Sequence, residues 1–282
     1  MPVHIAIPEP SSHPAVADSA AYNLRSLPQY LHALHAAGAT PIVVPLHESP
    51  QRVAKILNTV SGILLPGSPA DIDPQKYGEH PLSQTAPPDS PRAAVDELLL
   101  QDAFNLHKPI LAICQGNQSL NTWLNGALIQ DIPSQIGTKV NHSSGRSVHE
   151  AHPIHITPGT RLAALIPAND AAANCNEAPF RTRREHGDLP LHDTPGHLWV
   201  NSSHHQAVRV PGDNLTISAV SPEDGVIEAV ELANPHHFVL GIQWHPERTY
   251  DLSAFSRNIF AAFVHAAEQW TPRRIEESVL QA

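Results

Sequence analysis

The chain has 282 residues, 41% of them hydrophobic and 16% charged, which is the balance of a globular protein and not of a disordered one. Seventeen Lys and Arg against 27 Asp and Glu leave a net charge of −10, which argues against nucleic acid or an anionic membrane surface as the partner. The two cysteines, Cys114 and Cys175, make no disulfide framework and fit a reducing cytoplasm, and no apolar run of about eighteen residues could span a bilayer.

The chain opens on a strand over residues 3–7, with no basic region and apolar core before it, so no signal peptide is expected and the expected location is cytoplasmic. A helix over 22–37 follows, with Leu24, Leu27, Leu31 and Leu34 as its apolar face and Gly38 where a helix C-terminus favours glycine. Residues 41–45 hold the run Ile42-Val43-Val44, expected as a strand buried on both faces. A helix over 50–58 begins on Pro50, and a third strand spans 62–65. This βαβαβ order predicts a parallel sheet with right-handed crossovers. The loop Pro66-Gly67-Ser68-Pro69 then lies at the C-terminal end of a strand, the edge of an α/β sheet where ligands bind.

A proline-rich loop over 81–90 and a helix over 92–106 lead to Pro109-Ile110-Leu111-Ala112-Ile113-Cys114-Gln115-Gly116-Asn117-Gln118. This reads as a buried strand, a hard turn on the cysteine and a helix that closes at Asn125-Gly126. Such a turn exposes one side chain at the top of the sheet and needs small neighbours, which Ala112 and Gly116 provide. Helix N-terminal N–H groups favour a thiolate there. Taken alone, the stretch leaves Cys114 open between a nucleophile and a buried core thiol. Downstream, strands are expected at 153–156, 198–200, 207–210, 215–220, 226–231 and 238–244. Several of them alternate like half-exposed antiparallel strands, and an amphipathic helix over 251–270 closes the pattern. Residues 167–196 break the rhythm; a loop that long is a lid or a mobile surface segment, and the sequence leaves both open.

A cysteine nucleophile needs a base and a group to orient that base. Gly241-Ile242-Gln243-Trp244-His245-Pro246-Glu247 offers both, with Glu247 two residues beyond His245 and able to fix the imidazole tautomer. With 20 histidines in the chain, a histidine counts only when its neighbours also fit. His149-Glu150-Ala151-His152 is one residue short of His-Glu-x-x-His, and the adjacent pairs His204-His205 and His236-His237 point in different directions, so no metal site is expected.

The pattern Ile-Cys-x-Gly-x-Gln followed far downstream by Gln-Trp-His-Pro-Glu resembles the class I glutamine amidotransferase superfamily, and within it the γ-glutamyl hydrolase branch. The resemblance extends through Tyr30 to Gly38, Leu65 to Pro69, Asn125 to Ile132, Val200 to Ala207 and Asp224 to Ala229. It implies an α/β, flavodoxin-like three-layer sandwich with a central, mostly parallel sheet and added antiparallel strands in the second half. One domain would cover residues 1–268, with 167–196 as an insertion and 269–282 as a tail. The resemblance further implies a Cys114–His245–Glu247 triad that hydrolyses a γ-glutamyl amide through a thioester. Backbone N–H groups of Gln115 and Gly67 would form the oxyanion hole, and Gln118, His204 and His205 would contact substrate. No metal or organic cofactor is implied; the expected partner is a small γ-glutamyl molecule, and a homodimer is left open. A glutaminase subunit serving a separate synthase, or a binding protein on the same fold, are the alternatives. Gln115 and Ala112 depart from the Arg and Gly that the family often has. Arg92 survives from a family pattern whose following acid is lost here, which keeps Arg92 off the catalytic list.

Overall fold

The structure is a computed structural model that describes residues 2–12, 19–167 and 197–272. The segment expected as an insertion, from 168 on, and the tail beyond 272 lie outside the described residues. The first half runs β1 (Val3–Pro8), α1 (Ser19–Ala36), β2 (Ala39–Val44), α2 (Pro50–Leu57), β3 (Gly62–Leu65), α3 (Ser90–Leu106), β4 (Ile110–Ile113) and α4 (Gln115–Trp123). The second half adds β5 (Ala127–Ile129), α5 (Ile132–Gln135), β6 (His152–Ile156), β7 (His197–Val200), β8 (Ala207–Val210), β9 (Leu215–Val220), β10 (Ile227–Leu232), β11 (Val239–Ile242) and α6 (Ala254–Gln269).

The strands form one sheet in the order β2-β1-β3-β4-β11-β10-β9-β6-β7, with β8 pairing β10 and β5 off that path. From β2 to β11 every pairing is parallel; from β11 outward every pairing is antiparallel. This is the mixed α/β architecture expected from the βαβαβ order, with the antiparallel strands in the second half. Alternation along the central strands sorts the core into two layers. Ile5, Ile7, Leu64, Leu111, Ile113, Leu240 and Ile242 face α1 and α6, meeting Tyr30, Leu34, Ile259, Phe260 and Phe263. Ala6, Ile63, Leu65, Ile110, Ala112 and Val239 face α2, α3 and α4, meeting Val53, Leu57, Val95, Leu99 and Leu120. Helices therefore cover both faces of the parallel region.

Local chemistry sets the ends of the elements. Ser49 caps α2 by accepting the Arg52 N–H, with Pro50 in the first turn. Asn125, at φ 67°, ends α4 in the left-handed region, and the Gly126 N–H closes onto the Asn121 carbonyl. Three expectations change. Strand β2 is the sheet's edge, and its Ile42 and Val43 are only half-buried, because a continuous apolar run cannot tell an edge from a centre. Leu24 stands 78% exposed, while Tyr30, Ala33 and Leu34 carry the packed face of α1. Strand β10 is buried along its whole length; its carboxylates meet buried partners where the alternation suggested solvent.

One strut fixes the site's loop. The Arg92 side chain on α3 is fully buried, paired to Asp96 at 2.7 Å, and it donates to the Pro10 and Pro66 carbonyls at 2.8 and 2.6 Å. Asp96 also accepts from Ser119 on α4. Arg92→Leu leaves the Asp96 carboxylate buried without its counterion and frees the carbonyl next to Gly67, so a loss of about 3–5 kcal/mol is expected in urea unfolding. A loss below about 1 kcal/mol would mean that the pair does not anchor this loop.

Candidate active site

Strands β4 and β11 lie side by side in parallel, with Ile113 opposite Ile242, so the residues leaving their C-terminal ends emerge at the same edge of the sheet. Cys114 follows β4 at φ 54° and ψ −110°, a backbone that an L residue rarely adopts, and its own N–H donates to the Ile242 carbonyl at 2.7 Å. The small neighbours are required as expected: Ala112 is wholly buried, and a Cβ on Gly116 would run into the Leu65 carbonyl and lie 2.7 Å from Leu65 Cβ. His245 and Glu247 follow β11 in a short 3-10 turn that begins on Pro246.

Glu247 Oε1 lies 2.8 Å from His245 Nδ1, and both side chains are buried. The backbone of His245 is clamped by Asn201, whose amide accepts its N–H at 2.9 Å and donates to its carbonyl at 2.8 Å. Gly67 packs against both His245 and Cys114: a Cβ built on it would meet His245 Cε1 at 3.0 Å, Tyr30 Oη at 3.2 Å and Cys114 Cβ at 3.4 Å. The structure therefore brings Cys114, His245, Glu247 and Gly67 together around one point.

Burial pushes the Cys114 thiol up to about 12, against the pull of Arg248 and of the Gln115 N–H. Burial, with the Arg248 charge, pushes His245 down to about 4 despite Glu247. Both shifts favour a neutral thiol beside a neutral imidazole; the helix N-terminus alone favours the thiolate, and desolvation of the buried sulfur opposes it.

The remaining sequence candidates fall in different places. The Gly67 N–H donates to Tyr30 Oη at 3.0 Å. Gln115, expected as an oxyanion donor through its backbone, is buried. It lines a cavity of about 450 Å³ beneath α3 and α4 whose walls include neither Cys114 nor His245, so this is not the reaction pocket. Among that cavity's acids, Asp89 accepts from Ser11 and Ser12, Asp96 pairs with Arg92 and Glu97 pairs with Lys76. Gln118 spends its amide on the Gln206 carbonyl and on Gln243. His204 and His205 diverge: His204 turns inward to Glu228, while His205 bridges Asp71 at 3.1 Å and Asp131 at 3.3 Å.

Several residues around the pair escaped sequence reasoning. Arg248 keeps its side chain 5% exposed, donates to Ser203 at 2.8 Å and holds Nε 3.6 Å from Glu247 Oε1, an ion pair too long for a hydrogen bond. Arg146 donates to Ser26 and Gln29, both neutral, and the Arg248 charge holds it below its ordinary value after burial has done the same. Their common signal, the positive charge that both bring to bear on His245, exists only in three dimensions. No helix among the described residues is long and apolar enough to cross a membrane.

Comparison with known proteins agrees with this geometry. The Peptidase C26 family profile matches residues 4–178 and 185–247. The chain is 33% identical over 246 residues to Rv2859c of Mycobacterium tuberculosis, provisionally described as a glutamine amidotransferase, covering 87% of this chain and 68% of that one. It is 31% identical over 246 residues to γ-glutamyl-γ-aminobutyrate hydrolase PuuD of Escherichia coli K12, covering 85% of each. Its fold is similar to that of a Thermoplasma acidophilum protein provisionally described as part of a GMP synthase, with a TM-score of 0.54, 13% identity and 95% of each chain covered. With the profile spanning most of the chain and the nucleophile turn in place, the protein belongs to the Peptidase C26 family of class I glutamine amidotransferase-like cysteine hydrolases.

Proposed function

We propose that the protein hydrolyses a γ-glutamyl amide to glutamate and a free amine, with Cys114 as nucleophile, His245 as general base and acid, and Glu247 as its orienter. The observation that carries this reading is the convergence of the strained Cys114 turn and the buried His245–Glu247 pair on Gly67. Glu247 holds the proton on Nδ1 of the neutral imidazole, which leaves Nε2 free to accept. As Cys114 Sγ bonds to the γ-carbonyl carbon, its proton passes to Nε2. The carbonyl oxygen becomes an oxyanion, which the Gln115 N–H receives together with the Gly67 N–H as that group leaves Tyr30 Oη. Each such donor is worth roughly 2.7–4 kcal/mol in the transition state. His245 then gives its proton to the departing amine as the C–N bond breaks. Water, deprotonated by the same nitrogen, splits the thioester and returns the proton to sulfur.

The glutamyl portion is an anion at its α-carboxylate, and Arg146 and Arg248 supply matching positive charge near His245, Arg248 also acting on the Cys114 thiol. Arg248 Nε, buried without a hydrogen-bond partner, suits one carboxylate oxygen. Gln118 and His205 remain proposed contacts of the glutamyl group. The test is a screen of glutamine, γ-glutamyl-aminobutyrate, γ-glutamyl-polyamines and poly-γ-glutamate for glutamate release. Turnover of at least one γ-glutamyl amine without any partner is expected, whereas turnover of glutamine alone, rising when a synthase is added, would favour an amidotransferase component. In Arg146→Met, loss of a charge-assisted bond is expected to raise KM by about 10- to 100-fold with kcat within about threefold of the parent. An amide lacking the α-carboxylate should be as poor a substrate for the parent enzyme; if it is turned over normally, the two arginines do not read that group.

A further inference from the structure

Away from Cys114, four side chains from separate parts of the chain meet in the interior: His142 from the loop after α5, His152 at the start of β6, His204 from the turn between β7 and β8, and Glu228 on β10. All four are buried, and one ligand-type atom from each lies within 4.8 Å of all the others. Their inward nitrogens gather on a single carboxylate oxygen. Glu228 Oε1 is 3.2 Å from His142 Nδ1, 3.5 Å from His152 Nε2 and 3.6 Å from His204 Nε2. Yet none of these atoms makes a hydrogen bond of acceptable geometry, and Glu228 Oε2 has no partner either.

The outer nitrogens explain why. His152 Nδ1 lies 3.1 Å from the Pro153 carbonyl and His204 Nδ1 lies 2.9 Å from the Gln206 carbonyl. A carbonyl only accepts, so in each neutral ring the proton sits on Nδ1 and Nε2 points inward as a bare lone pair. His142 lies between two carboxylates, with Nε2 2.9 Å from Asp224 and Nδ1 3.2 Å from Glu228 Oε1, so its Nδ1 is bare when the ring is neutral. With all three rings neutral, three lone pairs and a carboxylate face one another in a buried space, an arrangement that a bound cation stabilises and that the neutral rings alone leave mutually repulsive.

We infer that His142, His152, His204 and Glu228 form a structural metal site, with zinc the cation that this donor set favours. Three imidazoles and one carboxylate are the hard-to-borderline N and O donors that zinc takes. Bonds of about 2.0–2.1 Å in a tetrahedron set neighbouring donors about 3.3 Å apart; the three distances to Glu228 Oε1 are 3.2, 3.5 and 3.6 Å, and the whole set, within 4.8 Å, has only to draw in slightly around an ion. Each histidine carries an outer hydrogen bond from its second nitrogen, as metal-bound histidines do. Four protein donors close the shell, so the metal has no open position for water and takes no part in catalysis. Its place in the fold assigns it another task. His204 lies in the 201–206 segment, whose Asn201 clamps the His245 backbone and whose Ser202 bonds the His142 carbonyl. The metal ties that segment to the sheet through β6 and β10. His204 is then a ligand and not a substrate contact, and the sequence expectation of no metal is replaced. The rejected His-Glu-x-His motif contributes one histidine, His152, while the other ligands come from far along the chain.

The test is metal analysis of untagged protein, stripped with a chelator and reconstituted with zinc. One zinc per chain is expected, with a melting temperature that rises on zinc addition and falls on chelation, and with the visible bands of tetrahedral Co(II) when cobalt replaces it. Asp224→Asn, which touches no ligand atom, should weaken zinc about 10- to 100-fold. Glu228→Gln and His152→Ala should lose stoichiometric binding. Cys114→Ala and the exposed His236→Ala should keep it, which separates this site from the catalytic thiol and from surface histidines. Folded parent protein that takes up less than about a tenth of an equivalent, with a melting temperature indifferent to zinc and chelator, would overturn the inference and leave shared protons as the neutralising charge. Zinc lost in Cys114→Ala, or retained in folded Glu228→Gln and His152→Ala, would overturn it as well.

Discussion

Cys114→Ala is expected to lower glutamate release from γ-glutamyl amides by on the order of 10⁵–10⁶-fold, the scale seen when an acyl-transfer nucleophile is deleted. Alanine keeps the turn at φ 54° and removes only sulfur, so the fold should survive with a melting temperature within a few degrees of the parent. Cys114→Gly should be equally inactive and yet more stable, because glycine relieves a backbone that costs about 1–3 kcal/mol for other residues. Unchanged glutamate release in either variant would end the thioester mechanism. A glycine variant less stable than the alanine one would show that the turn holds no strain.

Glu247→Gln is expected to cost about 10⁴-fold in kcat, since an amide can offer its N–H to His245 Nδ1 and stabilise the tautomer that carries the proton on Nε2. The pH profile distinguishes this from simple misfolding. His245, pushed down to about 4 chiefly by burial and then by Arg248, is neutral and competent as a base at every pH well above that value. Activity measured as kcat/KM should therefore hold level through pH 6.5 and fall only as pH drops through about 4. Glu247 raises the His245 value, so losing its charge should move the acid limb lower still while the plateau falls. An acid limb that lies at the same pH in parent and variant would belong to a group other than His245.

How much of this was legible in the sequence depended on how local each feature is. The βαβαβ order and the turn at Cys114 were readable because each rests on contiguous residues: apolar runs, caps at Pro50 and Asn125, and small neighbours at Ala112 and Gly116. His245 and Glu247 were readable because only two positions separate them. The strand β5 and helix α5 were missed as elements, being three and four residues long and too short for any periodicity. Strand β10 misled because its polar positions do alternate. Glu228 meets the three histidines and Glu231 accepts the Arg161 and Leu162 N–H groups, so the pattern recorded buried partners and not water. Tyr30 reaches Gly67 from α1, while Arg146 and Arg248 act on His245 from the loop before β6 and from the turn after β11. No spacing rule links such positions. The histidine cluster is the extreme case, since in a histidine-rich chain its members looked like ordinary loop residues until the sheet closed around them.

The pairing of β4 with β11 carries a consequence for how the enzyme fails. Cys114 and His245 follow the ends of β4 and β11, hydrogen-bonded neighbours at the centre of the sheet that lie between its two layers of helices. Their separation is therefore a property of the ladder, among the last parts of a protein to open, and not of a loop that frays early. Partial loosening of the periphery, at the edge strand β2 or in the proline-rich stretch before α3, leaves that spacing intact. Heat inactivation should then have no early phase of its own, and the catalyst should stay whole until the sheet as a unit comes apart.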